Sequence, residues 1–172
     1  MEHLNVKLQV KSLDEAGKFS GLASVYGNVD LGGDVVEPGA FTKSIVDRGG
    51  EVPLHFHHDL SQPIGVAKLQ DTSAGLAVEG QLVLQTAKGA ETYALLKARA
   101  LRGLSIGYRQ VKAVMIGGFR HLREVKLHEI SLVSIPMNEM ALVTAVKSGD
   151  SGLAEQVQLF RQVLAQCRKA FH

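Results

Sequence analysis

Tryptophan is absent from this 172-residue chain, and cysteine occurs once, at Cys167. A single thiol cannot close an internal disulfide, and a free one fits a reducing compartment. Aromatic residues make up only 5%, too few for the stacking platforms that hold single-stranded nucleic acid. An excess of one charge is also lacking. Nineteen Lys and Arg stand against 17 Asp and Glu, a net +2 spread evenly along the chain. No nucleic-acid partner and no membrane surface is expected from that balance. No apolar run approaches the roughly 20 residues that span a bilayer. Met1 to Asn5 shows neither the basic nor the apolar part of a secretory signal. What is present is a globular balance, 45% hydrophobic and 21% charged, long enough for one compact domain with a sizeable core. A soluble intracellular protein is expected.

Strand patterns dominate the first two thirds. Val6–Val10 alternates apolar and polar, and Phe19–Tyr26 keeps a β-like character. A loop rich in Gly and Asp follows over Gly27–Asp34. A helix is predicted to begin near Pro38, with Ala40, Phe41, Ile45 and Val46 as its apolar stripe and Gly49-Gly50 at its end. Short strands are predicted over Glu51–Phe56, Ile64–Leu69 and Gly75–Leu84. Thr86–Leu101 reads as a helix capped by Thr86. Leu104–Met115 and Phe119–Ile135 read as a hairpin turned at Gly117-Gly118. From Leu153 the apolar residues Val157, Phe160, Leu164, Cys167 and Phe171 mark one narrow stripe of an amphipathic helix. Cys167 sits on that stripe as a core or interface residue.

Three segments could carry chemistry. In Leu104-Ser105-Ile106-Gly107-Tyr108, Ser105 shares a strand face with Gly103 and Gly107. Those glycines weaken the strand but leave room for a peptide carbonyl to come within about 3.5 Å of the hydroxyl. Locally, a serine in a β-bulge beside a close neighbour is the favoured reading. In His55-Phe56-His57-His58-Asp59, a neutral imidazole is suited to take a serine proton near pH 7. His55 and His57 would share a strand face and could supply two metal ligands, yet no HExxH or paired-cysteine motif stands with them. Exposed histidines at a strand end are the plainer alternative. In Leu127-His128-Glu129-Ile130-Ser131, Glu129 and Ser131 share a face of an otherwise apolar strand, and His128 faces away. A buried carboxylate requires a partner. A histidine imidazolium would serve, as in a Ser-His-acid triad; a salt bridge to Arg109 or Arg123 serves equally well. Asp30 and Asp34 do not have EF-hand spacing and are read as turn residues.

Taken in order, several motifs resemble the prohead protease family of tailed bacteriophages. They are Ser24-Val25-Tyr26-Gly27-Asn28 with Asp30, Gly33-Asp34-Val35-Val36-Glu37-Pro38-Gly39-Ala40-Phe41, His58-Asp59 and Pro63-Ile64-Gly65. Gly75-Leu76, Leu104-Ser105-Ile106-Gly107-Tyr108, Glu129-Ile130-Ser131-Leu132-Val133 and Pro136-Met137-Asn138 complete the series. The resemblance spans about residues 4 to 146.

The resemblance implies a mainly β fold with surrounding helices, a β-barrel similar to that of the herpesvirus assembly protease. It implies a serine endopeptidase with Ser105 as nucleophile, His58 as general base and Glu129 as the third member. His58 is preferred over its neighbours because it directly precedes Asp59. Such proteases act inside the immature capsid in the host cytoplasm, cutting the scaffold protein or the scaffolding segment of the major capsid protein, and often themselves. Neither a cofactor nor a metal is expected. The barrel is placed at 1–147 and the C-terminal helix at 148–172, packed on the barrel or at the interface of a homodimer. A catalytically inactive assembly protein that binds scaffold through the same fold is the alternative.

Overall fold

The computed structural model describes residues 17–145. Its elements are β1 (Lys18–Val25), β2 (Asp34–Val36), α1 (Thr42–Asp47), β3 (Glu51–Phe56), β4 (Asp59–Asp71), β5 (Gly75–Leu82), α2 (Ala87–Lys97), β6 (Gly103–Ile116), β7 (Phe119–Val133) and β8 (Val143–Ala145). The strands run in the order β2-β7-β3-β4-β5-β1-β8, with β6 on the other side of β7. The sheet curls until its ends meet. Residues 141–143 join β1 to β6, because Leu22 N–H donates to the Leu142 carbonyl at 3.1 Å while Leu104 N–H donates to that of Ala141 at 2.9 Å. Closure of this kind leaves few strand edges unpaired.

The apolar residues of alternating strands point into the barrel. Leu54, Ile64, Leu104, Leu127, Ile130 and Leu132 have no exposed surface, and each such side chain contributes about 1.5–3 kcal/mol by leaving water. Phe19 lies across the space over Gly80, where a Cβ would stand 2.1 Å from the ring.

Strand β7 is the spine of the functional region. Along one edge it pairs antiparallel with β6. Along the other it pairs parallel with β2 at Arg120–Leu122 and with β3 at Ile130–Leu132. Helix α1 fills the gap between β2 and β3. Val125 N–H donates to the Ala40 carbonyl at 3.1 Å. The Ser44 hydroxyl accepts from Leu127 N–H at 2.7 Å and donates to the Val125 carbonyl at 2.8 Å. The edge is thereby satisfied without a strand.

Several boundaries differ from expectation. Residues 38–41 form turns and the first helix starts at Thr42, because the Ala40 carbonyl is engaged by β7. Val46, assigned to the apolar stripe, is 74% exposed. The strand expected over Ile64–Leu69 is the middle of the 13-residue β4. Thr86 caps α2 through Gly89 N–H as expected, but that helix stops at Lys97 before Arg99 turns left-handed at φ 57°. The long hairpin turns at Gly117-Gly118. No helix among the described residues is long and apolar enough to cross a membrane. Val6–Val10 and the amphipathic stripe from Leu153 lie outside the described residues.

Candidate active site

Ser105 stands on β6 opposite Ser131 of β7, and two residues further on Gly107 stands opposite Glu129. Leu104, Ile130 and Leu132 fill the barrel, so alternation places Ser105, Glu129 and Ser131 on the other face. On the far side of β7, His55 of β3 is level with the same Ser131. Three adjacent strands therefore carry a polar row across the sheet.

His58 arrives by a different device. Phe56 pairs with Asp59, so His57 and His58 are the two central residues of the β3–β4 hairpin. Both have positive φ, 52° and 60°, as a type I′ turn requires. Neither is Gly or Asn, so the turn holds strain of about 1–3 kcal/mol per residue. Contacts that hold it are His57 N–H to the Leu132 carbonyl and His58 N–H to the Ser131 hydroxyl, both at 3.0 Å. The turn folds the His58 ring back over the sheet.

There His58 Nδ1 lies 2.6 Å from Glu129 Oε1, and Nε2 lies 2.9 Å from Ser105 Oγ. A carboxylate can only accept, so Nδ1 donates and Nε2 is the acceptor facing the serine hydroxyl. Oε2 of Glu129 accepts from the Ser131 hydroxyl at 2.7 Å. The hydrogen bond to Glu129 raises the pKa of His58 above its ordinary value, against the opposing effect of partial burial. Ser105 and Glu129 are 6% and 3% exposed, whereas 42% of the His58 side chain is open. A protected hydroxyl, an oriented imidazole and a buried carboxylate are thus in line for proton transfer.

One of the two flanking glycines is needed by the acid. A Cβ on residue 107 would meet Glu129 Oε1 at 2.1 Å. Gly107 makes space for the carboxylate. A cleft of about 260 Å³ opens beside Ser105, with Ile106, Val36 and Met137 among its apolar walls. Asp34, Arg120 and Tyr108 also line it. Arg120 grips Asp34 through Nε at 2.7 Å and Nη2 at 2.6 Å, and the Tyr108 hydroxyl donates to Asp34 at 2.9 Å. These partners hold the Asp34 carboxyl below its usual range, Arg120 most of all. Burial, then the bond to Asp34, pushes Tyr108 up to about 12.

The remaining candidates separate. Glu129 does not pair with Arg109 or Arg123; its hydrogen-bond partners are His58 and Ser131. His55 is buried beside Glu129, while His57 turns outward with Nε2 3.4 Å from the Ser134 hydroxyl. The shared face expected for His55 and His57 is lost at the turn, and no three potential metal donors converge among the described residues. His128 contacts Arg48 on the opposite face. Asp59 organises the start of β4 through Ser61 and Gln62. Asp30 is a turn residue, accepting from the N–H groups of Gly32 and Asp34. The sequence placed Ser131 on the face of Glu129 but suggested no role for its hydroxyl, and none for the Asn28–Asn138 pair. The two Asn side chains bond each other, and Asn138 also bonds the Val25 carbonyl, tying residues near the cleft to β1. Polar residues at motif ends were the only hint.

The barrel is that of the herpesvirus proteases. The KSHV protease solved with a hexapeptide phosphonate inhibitor superimposes with a TM-score of 0.53 and 14% identity, over 86% of this chain and 76% of that one. By sequence the chain belongs to the caudovirus prohead serine protease family, whose model matches residues 6–154. It is 33% identical over 139 residues to the prohead protease of Enterobacteria phage HK97, covering 78% of this chain and 62% of that protein. It is 34% identical over 154 residues to the capsid polyprotein of Pseudomonas phage PAJU2, covering 83% of this chain and 22% of that one. The chain spans less than two thirds of the length of either relative.

Proposed function

We propose that this chain is a serine endopeptidase of phage prohead maturation, cutting scaffold or capsid-protein segments and, in some settings, itself, inside the immature capsid. The single observation that carries this reading is the unbroken line Ser105 Oγ, His58 Nε2, His58 Nδ1, Glu129 Oε1 at 2.9 and 2.6 Å. Family membership supports the reading, as do relatives named prohead protease and capsid polyprotein.

In the proposed reaction His58 Nε2 takes the Ser105 proton as Oγ attacks the peptide carbonyl. The tetrahedral intermediate collapses when His58 returns that proton to the leaving amine, leaving an acyl ester on Ser105. Water, deprotonated by the same nitrogen, then adds to the ester carbonyl; the bond from that carbon to Ser105 Oγ breaks, His58 returns the proton to Oγ, and the carboxylic acid is released. Glu129 fixes the tautomer and stabilises each transient imidazolium. The cleft beside Ser105 gives a substrate side chain a place next to the scissile bond.

A fluorophosphonate probe and mass spectrometry test the assignment. The intact protein should be labelled at Ser105, and Ser105→Ala should neither be labelled nor cut a co-expressed capsid protein from the same phage. Cleavage by the Ser105→Ala protein would refute the nucleophile.

A further inference from the structure

A second imidazole, this one buried, touches the array without being part of the proton line. The His55 side chain is 9% exposed. It lies in the row Ser105–Ser131–His55 across β6, β7 and β3. Its Nδ1 has no hydrogen-bond partner among the described residues and stands 3.7 Å from Glu129 Oε2. That is beyond hydrogen-bond reach but close for an electrostatic contact in a dry setting. Glu129 faces His55 from β7 and Asp59 from the start of β4, the latter held by Ser61 and Gln62; His58, from the turn, stands on the other oxygen of Glu129.

The chemistry at Nδ1 follows from its neighbour. A lone pair aimed at a carboxylate oxygen is repulsive, whereas an N–H there is attractive, so Nδ1 carries hydrogen. That N–H exists in the imidazolium and in one of the two neutral tautomers. In both forms it draws on the negative charge of Oε2, and that charge is the one His58 leans on through Oε1.

We propose that His55 is a positioning residue: its Nδ1–H restrains the Glu129 carboxylate from the side away from His58 and divides its charge, so that His58 holds a proton less tightly. His58 then acts as a base at a lower pH than a lone carboxylate partner would permit. The inference rests on the reading of Ser105, His58 and Glu129 as one relay, but its decisive measurement needs no turnover.

The measurement is a histidine NMR titration of the full chain, following the His58 ring in the native protein and in His55→Leu, His55→Asn and His55→Gln. An Asn amide nitrogen falls where Nδ1 was; a Gln amide nitrogen falls where Nε2 was. In His55→Leu and His55→Gln the His58 midpoint should rise by on the order of half a unit, about threefold in proton affinity. His55→Asn should stay near the native midpoint. In peptide cleavage the acid limb should follow the same order with KM unchanged. An unmoved midpoint in both the Leu and Gln variants overturns the proposal, and so does an Asn variant that moves with them. If His55→Leu does not fold, the Asn and Gln pair decides alone. A shifted midpoint together with no cleavage by any variant, native protein included, would uphold His55 and sink the peptidase reading.

Discussion

Gly107 and Glu129 face each other across the β6–β7 pair, and the Glu129 carboxylate occupies the space where a side chain on residue 107 would begin. The contact ties the identity of one residue to the geometry of another that must reach His58. Gly107 has no left-handed backbone, so alanine is tolerated by the chain itself and the carboxylate has to yield. Gly107→Ala should therefore keep the fold and lower kcat by about 100-fold, the effect of displacing a catalytic contact by roughly an ångström. Peptide kinetics together with circular dichroism check this; a folded variant with native kcat would show that Glu129 does not need its place.

The pH profile follows from the raised pKa of His58, which Glu129 causes through its hydrogen bond. Only neutral His58 can accept the serine proton, so kcat/KM should climb as pH rises through a midpoint above 6.5. Glu129→Gln should bring that midpoint down toward 6.5 and cut kcat by about 10⁴-fold, since the amide disturbs the tautomer. The stability effect has the opposite sense. A pKa raised by folding adds stability that is complete below about pH 6.5 and fades as pH passes the folded value. Urea unfolding of the native protein and Glu129→Gln between pH 6 and 9 should show their stability difference shrinking upward.

Ser131 joins two parts of the array, accepting from His58 N–H and donating to Glu129 Oε2. Removing its hydroxyl leaves a buried carboxylate oxygen without a donor, at a cost of about 1–3 kcal/mol. Ser131→Ala should lose kcat by roughly 10-fold or more with little change in KM. Equal losses in unfolding stability and none in kcat would assign Ser131 to the fold alone.

Asp34 anchors β2 to the rim of the cleft through Arg120 and Tyr108. Breaking a buried ion pair costs several kcal/mol, but Arg120 is half-exposed, so Asp34→Asn should cost only about 1–2 kcal/mol at neutral pH. The Asp34 carboxyl is held low, chiefly by Arg120, so its contribution is present above about pH 4 and vanishes as pH falls through the folded value. Urea unfolding at pH 7 and pH 3 should show the variant's deficit at pH 7 and a smaller one at pH 3.

Much of this was readable along the chain because it depends on neighbours. Alternation marks strands wherever one face is buried, and Thr86 caps α2 by a contact three residues away. The same alternation placed Glu129 and Ser131 together and His128 apart. The His57-His58 turn was not readable. Gly, Asn and Asp are the residues that mark such a turn, and the left-handed conformation of these histidines is held by bonds to Leu132 and Ser131, more than 70 positions away.

The sequence by itself determined a strand-rich chain with Ser105, His58 and Glu129 as candidates, and motifs that name its family. Only the tertiary structure decided that β7 stands between β6, which bears Ser105, and β3, whose turn bears His58, that Gly107 makes room for the carboxylate, and that His55 lies against it. The physical reason is that strand order and register are set by burial of the whole barrel. Distances of 2.6 and 2.9 Å between residues 71 and 47 positions apart are a property of that closure and of no local pattern.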